Sequence, residues 1–145
     1  MKKQARLGLL LKMVNNIYER EFNCAISKID LTAAQCDLLG FLHENEGREV
    51  NPIDIEKRFH LKRPTVTGLL KRLQEKGFIE LGISSKDNRY KEVKLTQKAY
   101  AQRLEMISQL HKMEERLYKN ISEEEKREVV RILNIMLNNM STLDV

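Results

Sequence analysis

The chain has no tryptophan, only two prolines and only six glycines in 145 residues. Turns are therefore scarce, and helix is the expected state of most of it. Long apolar runs are missing too. The longest unbroken stretches reach three or four residues, as at Leu9-Leu10-Leu11, whereas a membrane-spanning helix needs about 18. Met1-Lys2-Lys3 is basic, but no apolar segment or small-residue cleavage site of a signal peptide follows, so the expected compartment is the cytoplasm. The two cysteines, Cys24 and Cys36, form no CxxC and are too few for a disulfide scaffold. His43, His60 and His111 stand singly. Without a histidine cluster or an i,i+4 ligand pair, no metal and no cofactor are expected. GxSxG, the P-loop, HExxH and GxGxxG are all absent, and the chain is not expected to be an enzyme.

What is present is a chain that can bury a core: 41% of residues are hydrophobic and 32% charged. Its length fits one domain, or one domain with helical arms. The net charge of +5 is unevenly placed. Between Lys57 and Lys94 stand eleven Lys or Arg and four Asp or Glu, a surplus of +7, while the remaining fifteen bases and seventeen acids come to −2. A basic block inside a patterned segment points to a polyanionic partner.

Apolar residues at Leu7, Leu10/Leu11, Val14, Ile17/Tyr18, Phe22 and Ala25 recur at three and four, the period of a helix with one apolar stripe. Thr32 and Gln35 make a capping box, with Leu31 and Cys36 at its hydrophobic-staple positions. Cys36 therefore reads as a small packing residue. A second helix follows through Leu38, Leu39 and Leu42, with Gly47 placed to end it.

Both prolines then sit at helix starts. Asn51-Pro52 reads as N-cap and first helical position, opening a short helix that carries Ile55 and Phe59. After the connection His60-Leu61-Lys62, Pro64 opens another helix and biases Arg63 away from helical angles, making Arg63 the expected cap. Gly77 is a natural end for it. Two short helices joined tightly within a basic segment form the helix-turn-helix pattern. At 100° per residue Val66, Leu69, Leu70 and Leu73 share one side of the second helix. Pro64, Gly68, Lys71 and Glu75 lie opposite, flanked by Thr67 and by Thr65 and Arg72. A face of small, hydroxyl and basic residues suits a DNA major groove. Gly68 costs such a helix about 1 kcal/mol against Ala, which close approach of a neighbouring helix or of DNA would explain. Beyond Gly77 the period falls to two. Ile79, Leu81 and Ile83 alternate, Ser84 to Arg89 is a polar turn, and Val93 and Leu95 alternate again. This is a β-hairpin with Lys86 and Arg89 at its tip, suited to the minor groove beside the helix.

From about Leu31 to Thr96 the sequence resembles the MarR family of winged-helix transcriptional regulators. The resemblance rests on Leu31-Thr32-x-x-Gln35, then Thr65-Val66-Thr67-x-Leu69-Leu70-x-x-Leu73-x-x-x-Gly77-Phe78-Ile79. Asp87-Asn88-Arg89 and Val93-x-Leu95-Thr96 complete it. It implies a mainly α fold with a small β-hairpin, a winged helix-turn-helix with N- and C-terminal dimerisation helices. The implied domains are 1–28 for the N-terminal dimerisation helix, 31–95 for the DNA-binding domain and 96–145 for the C-terminal dimerisation helices. The helix from Pro64 to Lys76 becomes the recognition helix, Arg89 the wing arginine and Asp87 its wing-tip partner. The expected DNA-binding residues are Arg63, Thr65, Thr67, Gly68, Lys71, Arg72, Lys86, Asp87 and Arg89.

Three positions depart from the family pattern. Leu81 stands where many relatives have an arginine in the first wing strand, which leaves Asp87 without that partner. Arg63-Pro64 replaces a commoner serine-containing helix start. Gly8 stands about where peroxide-sensing relatives carry their reactive cysteine, and Cys24 comes too late to replace it, so a thiol switch of that type is not expected.

Thr96 begins a long helix through Ala99, Leu104, Ile107, Leu110, Met113 and Leu117. Ser122 and Glu125 form a second capping box. Val129, Leu133, Met136 and Met140 follow 4-3-4 spacing, a stripe too apolar to face water alone. The resemblance implies a homodimer that reads double-stranded DNA at a pseudo-palindrome, a repressor released by a small aromatic or lipophilic effector. Met13, Tyr18, Phe22 and Phe41 are the candidates to line that effector's pocket. The competing readings are a winged helix used for protein contacts and a metal-responsive regulator of the same fold.

Overall fold

The apolar spacing of the N-terminal segment produces a long first helix, α1 (Leu7–Ala25), in a computed structural model that describes residues 6–141. The outermost residues of the expected arms, 1–5 and 142–145, lie outside that range. A short 3₁₀ turn (Ser27–Ile29) leads to α2 (Ala33–Glu44), α3 (Pro52–Phe59) and α4 (Arg63–Glu75). The strands β1 (Ile79–Ile83) and β2 (Lys91–Leu95) follow, then α5 (Gln97–Leu117) and α6 (Glu123–Ser141). The chain divides into two compact units, one ending at Leu110 and one beginning at His111, within α5.

The helix boundaries carry their causes. Thr32 Oγ1 accepts from Gln35 N, and Gln35 Oε1 accepts from Thr32 N, closing the capping box of α2. Leu31 and Cys36 are both buried beside it. Ser122 and Glu125 exchange the same pair of bonds at the start of α6. At the end of α4, Gly77 takes φ +82°. Its N–H donates to Gln74 O, and Phe78 N–H to Leu73 O, the two bonds of a Schellman motif that a left-handed residue makes possible.

Two boundaries differ from the sequence expectation. The N-cap of α4 is Lys62, with extended backbone, and Arg63 is its first helical residue. A proline at the second helical position lacks an N–H that would have had no partner anyway, so the helix starts one residue earlier, closed by Val66 N–H on Lys62 O. The C-cap of α2 is Asn45, ahead of Gly47: its N–H donates to Leu42 O and its Nδ2 to Phe41 O. Gly47 serves the following turn at φ +85°.

The core of the first unit is built from Phe22, Ile26, Leu38, Leu39, Ile55, Val66, Leu73, Phe78 and Ile79, all nearly inaccessible to water. β1 and β2 pair antiparallel, Ile79 opposite Leu95 and Leu81 opposite Val93. The expected alternation fades along β1. Ile79 is buried and Leu81 half-buried, but Ile83 is 73% exposed, because the hairpin leaves the core before its strands end. In α6, whose apolar stripe is as the spacing predicts, no residue is buried.

Candidate nucleic-acid interface

The helix-turn-helix is α3 and α4. Its turn is made by His60 in the left-handed region (φ +54°), with Leu61 N–H returning to Glu56 O. Val66, Leu69, Leu70 and Leu73 pin the inner face of α4 into the core. That registration turns Thr65, Thr67, Lys71 and Arg72 to solvent, each exposed, with Arg63 exposed at the helix start. Gly68 is half-buried, yet a side chain there would meet only the flexible end of Arg72, at 3.6 Å. No neighbouring helix demands a glycine at this position.

The wing brings the remaining expected residues to one tip. Ser84 N–H donates to Tyr90 O and Tyr90 N–H to Asp87 O, closing the turn. Arg89 lies against Asp87, its Nη2 2.7 Å from Oδ2 and its Nε 3.1 Å from Oδ1, while Arg89 N–H also donates to Oδ1. Asp87 thus pairs with Arg89, as the family resemblance implies, while Leu81 offers it no second cation. The Arg89 side chain holds Asp87 below the usual carboxylate range, and Arg89 itself is raised by the pairing. The guanidinium remains 82% exposed, and Lys86 is exposed beside it.

A second polar cluster was not legible in the sequence. Glu49, in the connection before α3, accepts hydrogen bonds from Ser84 Oγ (2.7 Å), Asn51 Nδ2 (3.2 Å), Ser85 N (3.3 Å) and Ser85 Oγ (3.4 Å). The Ser84 hydroxyl contributes most to holding the Glu49 carboxyl below its ordinary value. No local motif marks a contact across thirty-five residues. The only signal was an acid just ahead of a proline-initiated helix.

The chain has 32% identity to the transcription regulator MarR from Oenococcus oeni PSU-1, covering 92% of this chain and 99% of that one, with a TM-score of 0.79. It belongs to the MarR family. The MarR family profile itself matches residues 29–89 of this MarR-family chain. The S. aureus MepR–DNA complex superimposes with a TM-score of 0.86 at 26% identity, covering 94% of this chain and 99% of MepR. The HTH-type transcriptional repressor IacR of Pseudomonas putida is 24% identical over 133 residues, 92% of this chain and 78% of IacR. This MarR-family protein is a DNA-binding transcriptional regulator and not an enzyme. Among the described residues no helix is long and apolar enough to cross a membrane.

The four candidate effector-pocket residues of this MarR-family chain do not converge. Phe22 and Phe41 line one cavity of about 350 Å³, together with Arg58, Phe59, Arg103 and Met106. Tyr18 lines a separate cavity, with Leu38, Ile55 and Leu69. Met13 borders neither and is half-exposed. Cys36 also borders the first cavity, but burial, with a smaller contribution from Asp37, pushes its thiol up to about 12. It is therefore an unreactive thiol at neutral pH. Among the described residues no group of three or more His, Cys, Asp or Glu could hold a metal ion.

His43 borders the same cavity with its side chain only 4% exposed, and neither ring nitrogen has a hydrogen-bond partner. Glu46 Oε1 lies 3.5 Å from Nδ1, without hydrogen-bond geometry, and Tyr100 packs edge-on at 5.4 Å. Burial holds the imidazole below its ordinary pKa; Glu46 opposes this and Arg103 adds to it. Below about pH 6.5 the unfolded chain therefore binds a proton that the folded chain resists. Stability is fully present above that pH and falls as the solution is acidified. His43→Leu is expected to stabilise the protein at acid pH, because it removes a buried imidazole whose protonation the fold resists. It should also flatten the fall in melting temperature between about pH 6.5 and 5. A variant that is less stable and keeps the full acid slope would show that the imidazole is satisfied in solution.

Proposed function

We propose that the chain acts as a homodimeric repressor on a pseudo-palindromic operator, with residues 1–28 and 96–145 forming the dimer and 31–95 reading DNA. The observation that carries this reading is the outward face of α4. Thr65, Thr67, Lys71 and Arg72 are all exposed on one helix whose opposite face is locked in the core. A helix held this way can enter a major groove without rearranging its scaffold. Thr65 and Thr67 would contact base edges or a thymine methyl, and Lys71 and Arg72 would reach guanine or phosphate. Arg63 and Lys86 supply phosphate contacts at the two margins. Asp87 restrains the Arg89 side chain before DNA arrives, lowering the conformational cost of placing it in a minor groove. MepR and an E. coli MarR variant have been crystallised with DNA, the latter with operator DNA, and IacR is a repressor; these relatives support the same use here.

In a symmetric dimer the two α4 helices must sit one DNA turn apart, about 34–36 Å. A ligand that changes this spacing releases the operator. The cavity lined by Phe22 and Phe41, with Arg58 and Arg103 but also Asp37 and Glu44 at its wall, suits a small aromatic or lipophilic molecule.

Arg89→Ala is the direct test of the wing. Titrated against the operator and a random duplex, it is expected to weaken the operator complex by about 1–3 kcal/mol. An equal loss on both duplexes assigns Arg89 to a phosphate, and a loss confined to the operator assigns it to groove width. Unchanged affinity for both removes it from the interface.

A further inference from the structure

The wing is not held by its own hairpin alone. Residues 49–51, which join α2 to α3, grip both of its strands. Val93 N–H of β2 donates to Val50 O. Asn51 Nδ2 donates to Lys91 O at 2.5 Å. Glu49 takes Ser84 and Ser85 at the end of β1.

From Ser84 the bonds run on into the tip. Ser84 Oγ, 3% exposed as a residue, accepts from Lys86 N (3.1 Å) and Asp87 N (3.3 Å). Asp87 in turn holds Arg89 through three donors. An unbroken hydrogen-bonded line thus leads from the helix-turn-helix to the wing guanidinium. Its first link is the Glu49 carboxylate; Asp54, in the first turn of α3, is engaged instead with Asn51 N–H at 2.8 Å.

We propose that Glu49 is a positioning residue for DNA binding, the anchor that sets where the wing presents Arg89 relative to α4. The proposal rests on the reading of Arg89 as a DNA contact. Its chemistry is specific to a carboxylate. Both lone pairs of the Ser84 hydroxyl are committed to the Lys86 and Asp87 amides, so its proton needs a pure acceptor. Ser85 offers two more donors to the second carboxylate oxygen. Glutamine has the same size but would turn an NH₂ group toward one set of these donors. The tip would then lose its fixed position while the core stayed intact.

A double-mutant cycle on the full-length protein separates positioning from general support. Glu49→Gln is expected to weaken operator binding about ten-fold, with only a small fall in melting temperature. In the Arg89→Ala background the same substitution should cost less than about two-fold, because an anchor cannot misplace a side chain that is gone. Hydrogen exchange supplies a readout independent of DNA: protection of the Ser85, Lys86 and Asp87 amides should fall, while that of α4 persists. Ser84→Ala repeats the cycle from the other side of the link and stands in if Glu49→Gln unfolds. Equal losses in both backgrounds, or unaltered wing protection, overturn the proposal. If Arg89→Ala alone leaves DNA affinity unchanged, the DNA reading of Arg89 has failed, and the exchange data then decide the anchor by themselves.

Discussion

Raising the salt concentration from about 50 to about 200 mM is expected to weaken operator binding by about 10³- to 10⁵-fold. The expectation follows from the census of exposed cations at the interface. Each protomer presents Arg63, Lys71, Arg72, Lys86 and Arg89, so a dimer has ten. If six to ten of them neutralise phosphates, each releases about 0.9 of a condensed counterion, and log K falls with a slope near −0.9 per contact. Arg89 is the shallow contributor, because Asp87 already neutralises part of its charge. The steep contributors are the cations of α4. Fluorescence anisotropy with a short duplex, repeated over a salt series, measures the slope directly. Affinity that is flat in salt would remove DNA from the α4 face and leave the winged helix as a protein-contact module.

The second large effect concerns the far end of the chain. Leu133→Asp is expected to convert the proposed dimer to monomers of 17.0 kDa in sedimentation equilibrium and to lower operator affinity by about 10²- to 10⁴-fold, the factor that linking two half-sites supplies. α6 contains no buried residue although Val129, Val130, Ile132, Leu133, Ile135 and Leu137 are all on it. α1 independently exposes Leu7, Leu9, Leu10, Leu11, Met13, Val14 and Ile17. Apolar surface on this scale is far beyond what a chain leaves in water by chance. A carboxylate at Leu133 would have to be desolvated to keep the interface, at a cost of several kcal/mol. A variant that stays dimeric places the interface elsewhere.

Local chemistry was legible in the sequence wherever a few neighbouring residues carry the whole cause. The boxes at Thr32 and Ser122, the proline-led start of α3 and the Gly77 terminus of α4 each need only four or five consecutive residues, and all occur. The inward quartet Val66, Leu69, Leu70 and Leu73 follows from period alone. Legibility ended where the cause is distant. Nothing near Ile83 says that its strand has left the core, and nothing near Glu49 says that Ser84 will meet it. The burial of His43 depends on Tyr100, fifty-seven positions away. The pre-proline bias points to Arg63 as the cap, one residue late, because the second helical position also tolerates a missing N–H.

Gly68 shows how stability and function diverge within a single helix. The free protein loses helix propensity there and gains no packing in return, since only the mobile end of Arg72 lies within 4 Å. Ordinary thermostabilisation would fill that gap with alanine first. The methyl group would project from the face proposed to enter the duplex, so on that reading the most accessible stabilising change in this helix is also one that would blunt its reading of DNA.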